Sequence, residues 1–209
     1  MSKAARTAQR RSNQARRRAQ VAARRRRLWI GSITAAAVVI AAVVLGLHFS
    51  NRPTASPTAT PAVGQVAPGG TLTTISGATV DVVSLRGHPT LLWFVSTWCS
   101  SCQAGTQTMA QNIAELRSDG VRVYEVELYR DLDQTGPPMT QFSRALAGPE
   151  AANPDWTFGT SSEALTRTYD PQSYLDIYYL LDANGRVTYV NSSPGSTMPQ
   201  LLAAARRLA

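Results

Sequence analysis

The chain has 209 residues, a length that suits one domain of ordinary size plus additional segments. Its formal net charge of +8 arises in residues 1–27, which hold 11 basic residues and no acid, whereas residues 28–209 carry 10 basic against 13 acidic residues. This distribution argues against a nucleic-acid-binding domain. Two cysteines, three residues apart, are too few for a disulfide-stapled fold, and two histidines leave few ligands for a metal site.

An uncharged apolar run at residues 28–47 follows the basic tail. In a helix that rises about 1.5 Å per residue, such a run covers about 30 Å, the thickness of the hydrocarbon core of a bilayer. The positive-inside rule then places residues 1–27 in the cytoplasm and the C-terminal part outside. A cleaved signal peptide is the alternative, but the apolar region of a signal peptide spans only about 7–15 residues and the run in this chain is longer. We therefore expect a retained single-pass anchor in the cell membrane.

The basic tail itself has two interpretations. Basic side chains near a bilayer are attracted to anionic lipid by about 1 kcal/mol each. The alternative is binding of RNA or DNA, but no aromatic residue is interleaved with the arginines before Trp29, so no base-stacking platform is evident. We expect anionic lipid to be the partner of the tail and expect no nucleic acid.

Residues 48–68 are rich in proline, threonine and alanine. Such a composition cannot bury enough apolar surface to offset the entropy of ordering the chain. The sequence therefore predicts an extended, solvated linker that holds a folded domain, residues 69–209, away from the bilayer.

Strands and helices alternate from residue 69 onward. The patterns predict, in order, a hairpin (72–74 with 79–83), a buried strand (90–96), a helix (99–117), a strand (121–128), two helices (139–146 and 162–169), a hairpin (177–181 with 187–190) and a closing helix (198–208). This order is typical of an α/β fold with a central sheet and helices on both faces. Short crossovers make the first long strands parallel.

Cys99 and Cys102 form a Cys-x-x-Cys motif where the buried strand becomes a helix. Unpaired N–H groups and the helix dipole stabilise a thiolate at that end of a helix. A thiolate attacks a disulfide to form a mixed disulfide, which a second thiol one turn later can resolve. We expect Cys99 to be the nucleophile, reachable by a foreign disulfide, and Cys102 the resolving thiol.

Three other interpretations of the pair remain. A structural disulfide would close so short a loop that it would stabilise the fold little. A zinc site would lack two ligands, since no further cysteine exists. Two buried free thiols are not expected beside the Ser100-Ser101 pair, which we expect to be exposed.

The residues around the cysteines resemble a known family. Residues 84–94, SLRGHPTLLWF, followed by Trp98-Cys99-Ser100-Ser101-Cys102, and later residues 180–187, LLDANGRV, are similar to the TlpA/ResA branch of thioredoxins. The resemblance implies a thioredoxin-like three-layer sandwich, with a mixed central sheet and helices on both faces, preceded by one transmembrane helix. It also implies thiol–disulfide exchange with proteins outside the cytoplasm, as a reductase recycled by a membrane electron donor, in cytochrome c maturation or repair of oxidised thiols, without cofactor or metal.

This chain departs from that family at three positions. The alignment puts Asp176 where thioredoxins carry a cis-proline, and we expect a trans bond and an altered substrate groove there because a non-proline cis bond costs about 2.5–4 kcal/mol. Trp93 and Gly105 stand where relatives carry an acid six residues before or after the first cysteine. Glu125 or Glu127, on the neighbouring strand, is a candidate to substitute as proton acceptor. The alternative is that the member of this pair that faces outward is only solvated.

Two side chains near the motif have simpler roles. Trp98, directly before Cys99, is expected to cover the cysteines and shape the groove, as its equivalent does in the family. His88 precedes Pro89 at the strand entrance and is expected to be a surface turn residue rather than a ligand.

Rival functions remain open. A copper-handling protein of the Sco type is suggested by residues 155–159, DWTFG, although that family uses Cys-x-x-x-Cys and a distant histidine. A redox-inactive binding module, with the cysteines locked as a disulfide, is a second alternative. A peroxidase is a weaker one, because Leu92 and Thr97 do not match the Pro and Thr of the peroxiredoxin pattern.

Overall fold

The structure is a computed structural model that describes residues 60–209. The predicted basic tail, the predicted membrane span and residues 48–59 of the predicted linker lie outside the described residues. Among residues 60–209, no helix combines the length and the apolar character that crossing a bilayer requires.

The described part of the chain contains seven strands and four α-helices. The strands are β1 (Thr71–Thr74), β2 (Thr79–Asp81), β3 (Thr90–Val95), β4 (Arg122–Glu127), β5 (Trp156–Ser161), β6 (Ile177–Leu181) and β7 (Val187–Ser192). The α-helices are α1 (Ser100–Ser118), α2 (Met139–Ala147), α3 (Glu163–Tyr169) and α4 (Pro194–Ala205). Short 3₁₀ turns occur at Val82–Leu85, Tyr129–Asp133 and Gly148–Ala152.

All seven strands form one mixed sheet in the order β2-β1-β5-β4-β3-β6-β7. The neighbours β3, β4 and β5 run parallel, as the crossovers predict, and the remaining pairs are antiparallel. Every residue of β3 is buried. A strand covered on both faces reads as a continuous apolar run, which explains its clear signal in the sequence.

Each face of the sheet is covered by helices. On one face, α1, α2 and α4 pack against the sheet in an apolar core that includes both cysteines, Trp93 and Met109. On the other face, Leu165 and Tyr169 of α3 pack against Phe94 of β3. The predicted α/β three-layer architecture, with a mixed central sheet and helices on both faces, is therefore confirmed for residues 60–209.

Three features differ from the sequence-based expectations. Strand β5 was not predicted, because Thr157, Gly159 and Thr160 interrupt its apolar pattern. Helix α4 begins at Pro194, four residues before the predicted start, since proline is well tolerated in a first helical turn. The end of the predicted linker also belongs to the fold: the N–H groups of Gly64 and Ala67 donate to the carbonyl groups of Val187 and Gly185.

Candidate active site

Cys99 lies in the short connection between β3 and α1 and is the N-cap residue of α1. Its Sγ accepts a hydrogen bond from the backbone N–H of Cys102 at 3.3 Å and lies 3.1 Å from the Ser101 Oγ. The first N–H groups of a helix have no partner within the helix, so the sulfur fills the role that an N-cap oxygen usually takes.

These contacts move the pKa values of the two cysteines in opposite directions. The hydrogen bond from the Cys102 side chain is the main cause that lowers the pKa of Cys99 to about 5, against an opposing effect of burial, and Ser101 lowers it further. The same interaction, together with burial, raises the pKa of Cys102. At neutral pH the pair therefore holds one thiolate, on Cys99, and one thiol, on Cys102.

The burial of the pair corrects one expectation. Cys99 is 6% exposed and Cys102 is fully buried, both as free thiols, although Ser100 and Ser101 are exposed as expected. The reason is that α1 starts directly after β3, so that one side of its first turn, which carries both cysteines, faces the apolar core. Of the two cysteines, only Cys99 has a part of its surface exposed.

Glu125 lies beneath the start of α1 and is fully buried. Its Oε1 accepts a hydrogen bond of 2.6 Å from the Thr106 hydroxyl, and its Oε2 has no partner. Burial raises the pKa of Glu125 to about 8, opposed by Thr106. The Thr106 Oγ1 also lies 2.9 Å from the carbonyl oxygen of Cys102, so one hydroxyl contacts both the acid and the backbone of Cys102.

Glu127, two residues further along β4, has different neighbours. It is half-buried and paired in register with Val95. Burial and the nearby Asp131 raise the pKa of Glu127 to about 7. Of the two acids named from the sequence, Glu125 shares the Thr106 hydroxyl with the Cys102 carbonyl, and Glu127 lies beside Asp131.

Asp176 is 1% exposed and precedes β6 in a left-handed backbone conformation, with φ of 56°. Every peptide bond in residues 60–209 is trans, as expected at this position. Its Oδ1 accepts a 2.9 Å hydrogen bond from the Trp93 indole, and its Oδ2 is buried without a partner. Burial is the main cause that raises the pKa of Asp176 to about 6.

The three departures from the TlpA/ResA pattern fit one another. The Trp93 ring occupies the space beside Gly105, where an added Cβ would lie 2.8 Å from the ring. Asp176 then accepts the indole N–H of that ring, which would otherwise be buried without a partner. Two other acids, Glu125 of β4 and Asp176 directly before β6, are buried on this side of the fold.

A groove of about 360 Å³ opens beside the motif. Ser101 and Asp176 line one part of it, and Val190, Asn191 and Ser192 of β7 line another. Tyr174, which is 70% exposed, stands at its rim. The cavity lies at the position where the sequence predicts an altered groove.

Asp131 is a site residue that sequence reasoning missed. Its carboxylate accepts hydrogen bonds from the N–H and the hydroxyl of Thr97, at 2.9 and 2.7 Å, and its carbonyl accepts one from the Trp98 indole at 3.0 Å. Trp98 remains 39% exposed next to Cys99. The turn that carries Asp131 has four consecutive residues with positive φ, 130–133, a geometry with no clear sequence signature.

The described residues offer little for a metal. In residues 60–209, no group of three or more His, Cys, Asp and Glu side chains is arranged to hold an ion. His88 is exposed in the turn before β3, as expected.

Comparisons with known proteins agree with this geometry. Residues 63–142, less than half of the chain, match the model of the AhpC/TSA family. A stretch of 41 residues is 46% identical to the soluble secreted antigen MPT53 of Mycobacterium tuberculosis, covering 20% of this chain and only 24% of that protein.

Two solved structures, each superposed with a TM-score of 0.51, cover 68% of this chain and 99% of their own. They are the thioredoxin domain of a thiol-disulfide oxidoreductase from Bacteroides vulgatus, 17% identical, and Arabidopsis thaliana ScoI with copper bound, 16% identical. At these identities the likeness establishes the fold, which is thioredoxin-like.

Proposed function

We propose that the protein catalyses thiol–disulfide exchange, with Cys99 as the nucleophile and Cys102 as the resolving thiol. The observation that carries the proposal is the position of the Cys99 sulfur at the N-cap of α1, where two donors stabilise its thiolate. A cysteine that serves only to fill the core needs no such stabilisation.

The reaction proceeds in two displacements. The Cys99 thiolate attacks a substrate disulfide, forms a mixed disulfide and expels one substrate thiolate. Cys102 then loses its proton and attacks Cys99, which releases the second substrate thiolate and leaves a Cys99–Cys102 disulfide. Because the pKa of Cys102 is raised, this second step needs a base. Glu125 is the base that we propose, since it is a buried acid whose partner Thr106 also donates to the backbone carbonyl of Cys102.

The family resemblance favours a reductase, whereas the low pKa of Cys99 favours an oxidant. A low pKa of Cys99 stabilises the dithiol form, which makes the corresponding disulfide a stronger oxidant. Transfer of a disulfide to substrate thiols is therefore the second candidate. Equilibration of the full-length protein with glutathione buffers separates the two: a potential below that of the thiol pool supports a reductase, and a potential above it supports an oxidant.

The cellular setting is inferred from the sequence outside the described residues. A retained anchor at residues 28–47 would hold the domain outside the cytoplasm and close to a membrane electron donor. Its substrates would be disulfide-bearing or thiol proteins, in cytochrome c maturation or thiol repair, and the basic tail would contact anionic lipid. A protease-protection assay on intact cells tests this topology: the domain should be digested from outside.

The central test is mixed-disulfide trapping with single-cysteine variants. Cys102→Ser should accumulate a mixed disulfide with substrate proteins, because nucleophilic Cys99 remains and resolution is lost. Cys99→Ser should accumulate little, because Cys102 is fully buried and protonated. Equal trapping by both variants would remove the assignment.

The alternatives have their own tests. Stoichiometric tight binding of Cu(I) or Cu(II) would support the Sco-like alternative, and rapid consumption of peroxide would support the peroxidase. A Cys99–Cys102 disulfide that resists reduction by the thiol pool would support a redox-inactive binding module.

A further inference from the structure

The Ser101 hydroxyl lies between the nucleophile and a buried acid. Its Oγ is 3.1 Å from the Cys99 Sγ, and Ser101 and Ser193 are polar neighbours that lower the pKa of the Asp176 carboxyl. A serine hydroxyl has one hydrogen to donate. A Ser101 hydrogen that points to the Cys99 thiolate cannot also serve Asp176, and the Asp176 Oδ2 has no hydrogen-bond partner among residues 60–209.

A protonated Asp176 resolves this conflict. A neutral carboxyl can donate its own hydrogen to the Ser101 oxygen, which completes a chain from Asp176 through Ser101 to the Cys99 sulfur. An ionised Asp176 would instead place a second negative charge near the thiolate. That charge would be buried, and only one of its two oxygens would accept a hydrogen bond. We propose, resting on the thiol–disulfide exchange proposed above, that Asp176 is protonated while Cys99 is a thiolate, and that through Ser101 it supplies the proton to the substrate thiolate that Cys99 displaces.

The protons and electrons of this scheme balance. Cys99 attacks one substrate sulfur, the substrate S–S bond breaks, and the expelled thiolate takes the Asp176 proton. The negative charge moves from Cys99 to Asp176, and Ser101, released by the sulfur, now donates to that carboxylate. When Cys102 resolves the mixed disulfide, Glu125 takes its proton and passes it to the second substrate thiolate, so that two electrons and two protons have left the protein.

The position of the groove supports this role. Ser101 and Asp176 both line the groove beside Cys99, so a thiolate expelled into the groove emerges next to the acid. The titratable groups that interact with Asp176 across this site are Cys99 and Cys102 of α1, Glu125 of β4 and Tyr178 of β6. Each of these groups is neutral when protonated and negative when deprotonated, so none offers a positive charge that would keep Asp176 ionised.

The test compares two leaving groups on the full-length Cys102→Ser protein, in which the reaction stops after the first displacement. Dithiobis(nitrobenzoate) releases an aromatic thiolate that is stable without a proton, whereas glutathione disulfide releases an alkyl thiolate that needs one. At a pH between the pKa values of Cys99 and Asp176, Asp176→Asn should slow the reaction with glutathione disulfide by about 10- to 100-fold. The rate of the reaction with the aromatic disulfide should change by less than about twofold, because its leaving group needs no proton.

Asparagine is a conservative substitution here, because it can still accept the Trp93 N–H and tolerates a positive φ. Ser101→Ala should give the same selective loss, and it should also raise the pKa of Cys99, measured by thiolate absorbance. Ser100→Ala, at the exposed neighbouring position, is the matched control and should affect neither disulfide.

The outcomes separate the two proposals. Equal slowing of both disulfides by Asp176→Asn would indicate a structural role and overturn the inference, as would unchanged rates with both. Failure of the Cys102→Ser protein to react even with the aromatic disulfide would overturn the exchange function itself.

Discussion

At the scale of single residues, Glu125 and Glu127 show how two neighbouring acids on one strand acquire different roles. Both project from β4 toward the face that α1 covers, but only Glu125 lies under the helix, where the Thr106 hydroxyl reaches it. Glu127 lies near the end of the strand, beside Asp131. A period of two residues places both acids on one face of the sheet, and the position of the helix decides which of them is buried.

This difference predicts the effect of removing each acid. Glu125→Gln should prolong the lifetime of the mixed disulfide by at least about tenfold, because Cys102 loses its proton acceptor. In the unmodified protein the resolution rate should rise as the pH rises through about 8, where Glu125 becomes ionised, and this rise should vanish in the variant. Quenched-flow trapping with acid measures both. Glu127→Gln is the matched control, and slowing by that variant alone would reverse the assignment.

Asp131 acts on the segment that leads into the motif. It holds the backbone and the side chain of Thr97, two residues before Cys99. Hydrogen bonds to a carboxylate are stronger than neutral ones, and their loss would leave a buried N–H without a partner. Asp131 therefore determines the direction in which the chain enters α1.

We expect Asp131→Ala to lower the free energy of unfolding by about 2–4 kcal/mol. Asp131→Asn should recover most of the loss, since its amide can serve both groups of Thr97. Urea denaturation measures both variants. Asp133→Ala is the control from the same turn: Asp133 forms an exposed ion pair with Arg130, at 3.1 Å, and its removal should cost less than about 0.5 kcal/mol. A similar loss in both alanine variants would contradict the specific role of Asp131.

At the scale of elements, α1 approaches the sheet closely because it carries a glycine where it crosses Trp93. A Cβ at Gly105 would lie 2.8 and 3.0 Å from two atoms of the indole ring and 3.1 Å from the Pro194 ring of α4. Two rigid rings cannot move aside as a flexible side chain would. The spacing of β3, α1 and α4 therefore depends on this position.

Gly105→Ala should destabilise the fold by about 1–3 kcal/mol, although alanine is the better helix former. The comparison is Ala114→Gly, at an exposed position of the same helix, which should cost about 1 kcal/mol through helix propensity alone. Thermal unfolding of both variants shows whether packing or propensity dominates. Stabilisation by Gly105→Ala would show that α1 can shift away from Trp93.

At the scale of the whole molecule, the buried acids make stability depend on pH. Burial is the main cause that raises the pKa of Glu125 to about 8, of Glu127 to about 7 and of Asp176 to about 6. Between about pH 4 and 8 the folded protein therefore binds more protons than the unfolded chain, and its stability falls as the pH rises. The Cys99 thiol, with a pKa lowered to about 5, acts in the opposite sense in the reduced protein: its stabilisation is complete above the ordinary pKa of a thiol and is lost progressively as the pH falls from there to about 5.

We expect the oxidised protein, which has no Cys99 thiol, to lose stability more steeply between about pH 5 and 8 than the reduced protein. The difference should be on the order of 1–2 kcal/mol once solvent screening is allowed for. Denaturant titrations of both redox states across this range measure it. Glu125→Gln should flatten both profiles, and parallel profiles of the two redox states in the unmodified protein would contradict the low pKa of Cys99.

The sequence by itself determined the features that depend on neighbouring residues. The order of most elements, the buried β3 and the placement of Cys99 at the start of a helix follow from apolar periodicity and helix-capping patterns, which act over a few residues. The same reasoning predicts the anchor at residues 28–47 and the linker that follows. Apolar periodicity did not predict strand β5, because polar residues and a glycine interrupt the apolar pattern within that strand.

Only the tertiary structure decided which distant side chains meet. Trp93 and Asp176, Thr97 and Asp131, and Thr106 and Glu125 come from different elements, and no local pattern links the members of each pair. The burial of both cysteines likewise results from the packing of α1 onto the sheet. A buried polar group must find a partner wherever the fold places one, and that constraint acts through space rather than along the chain.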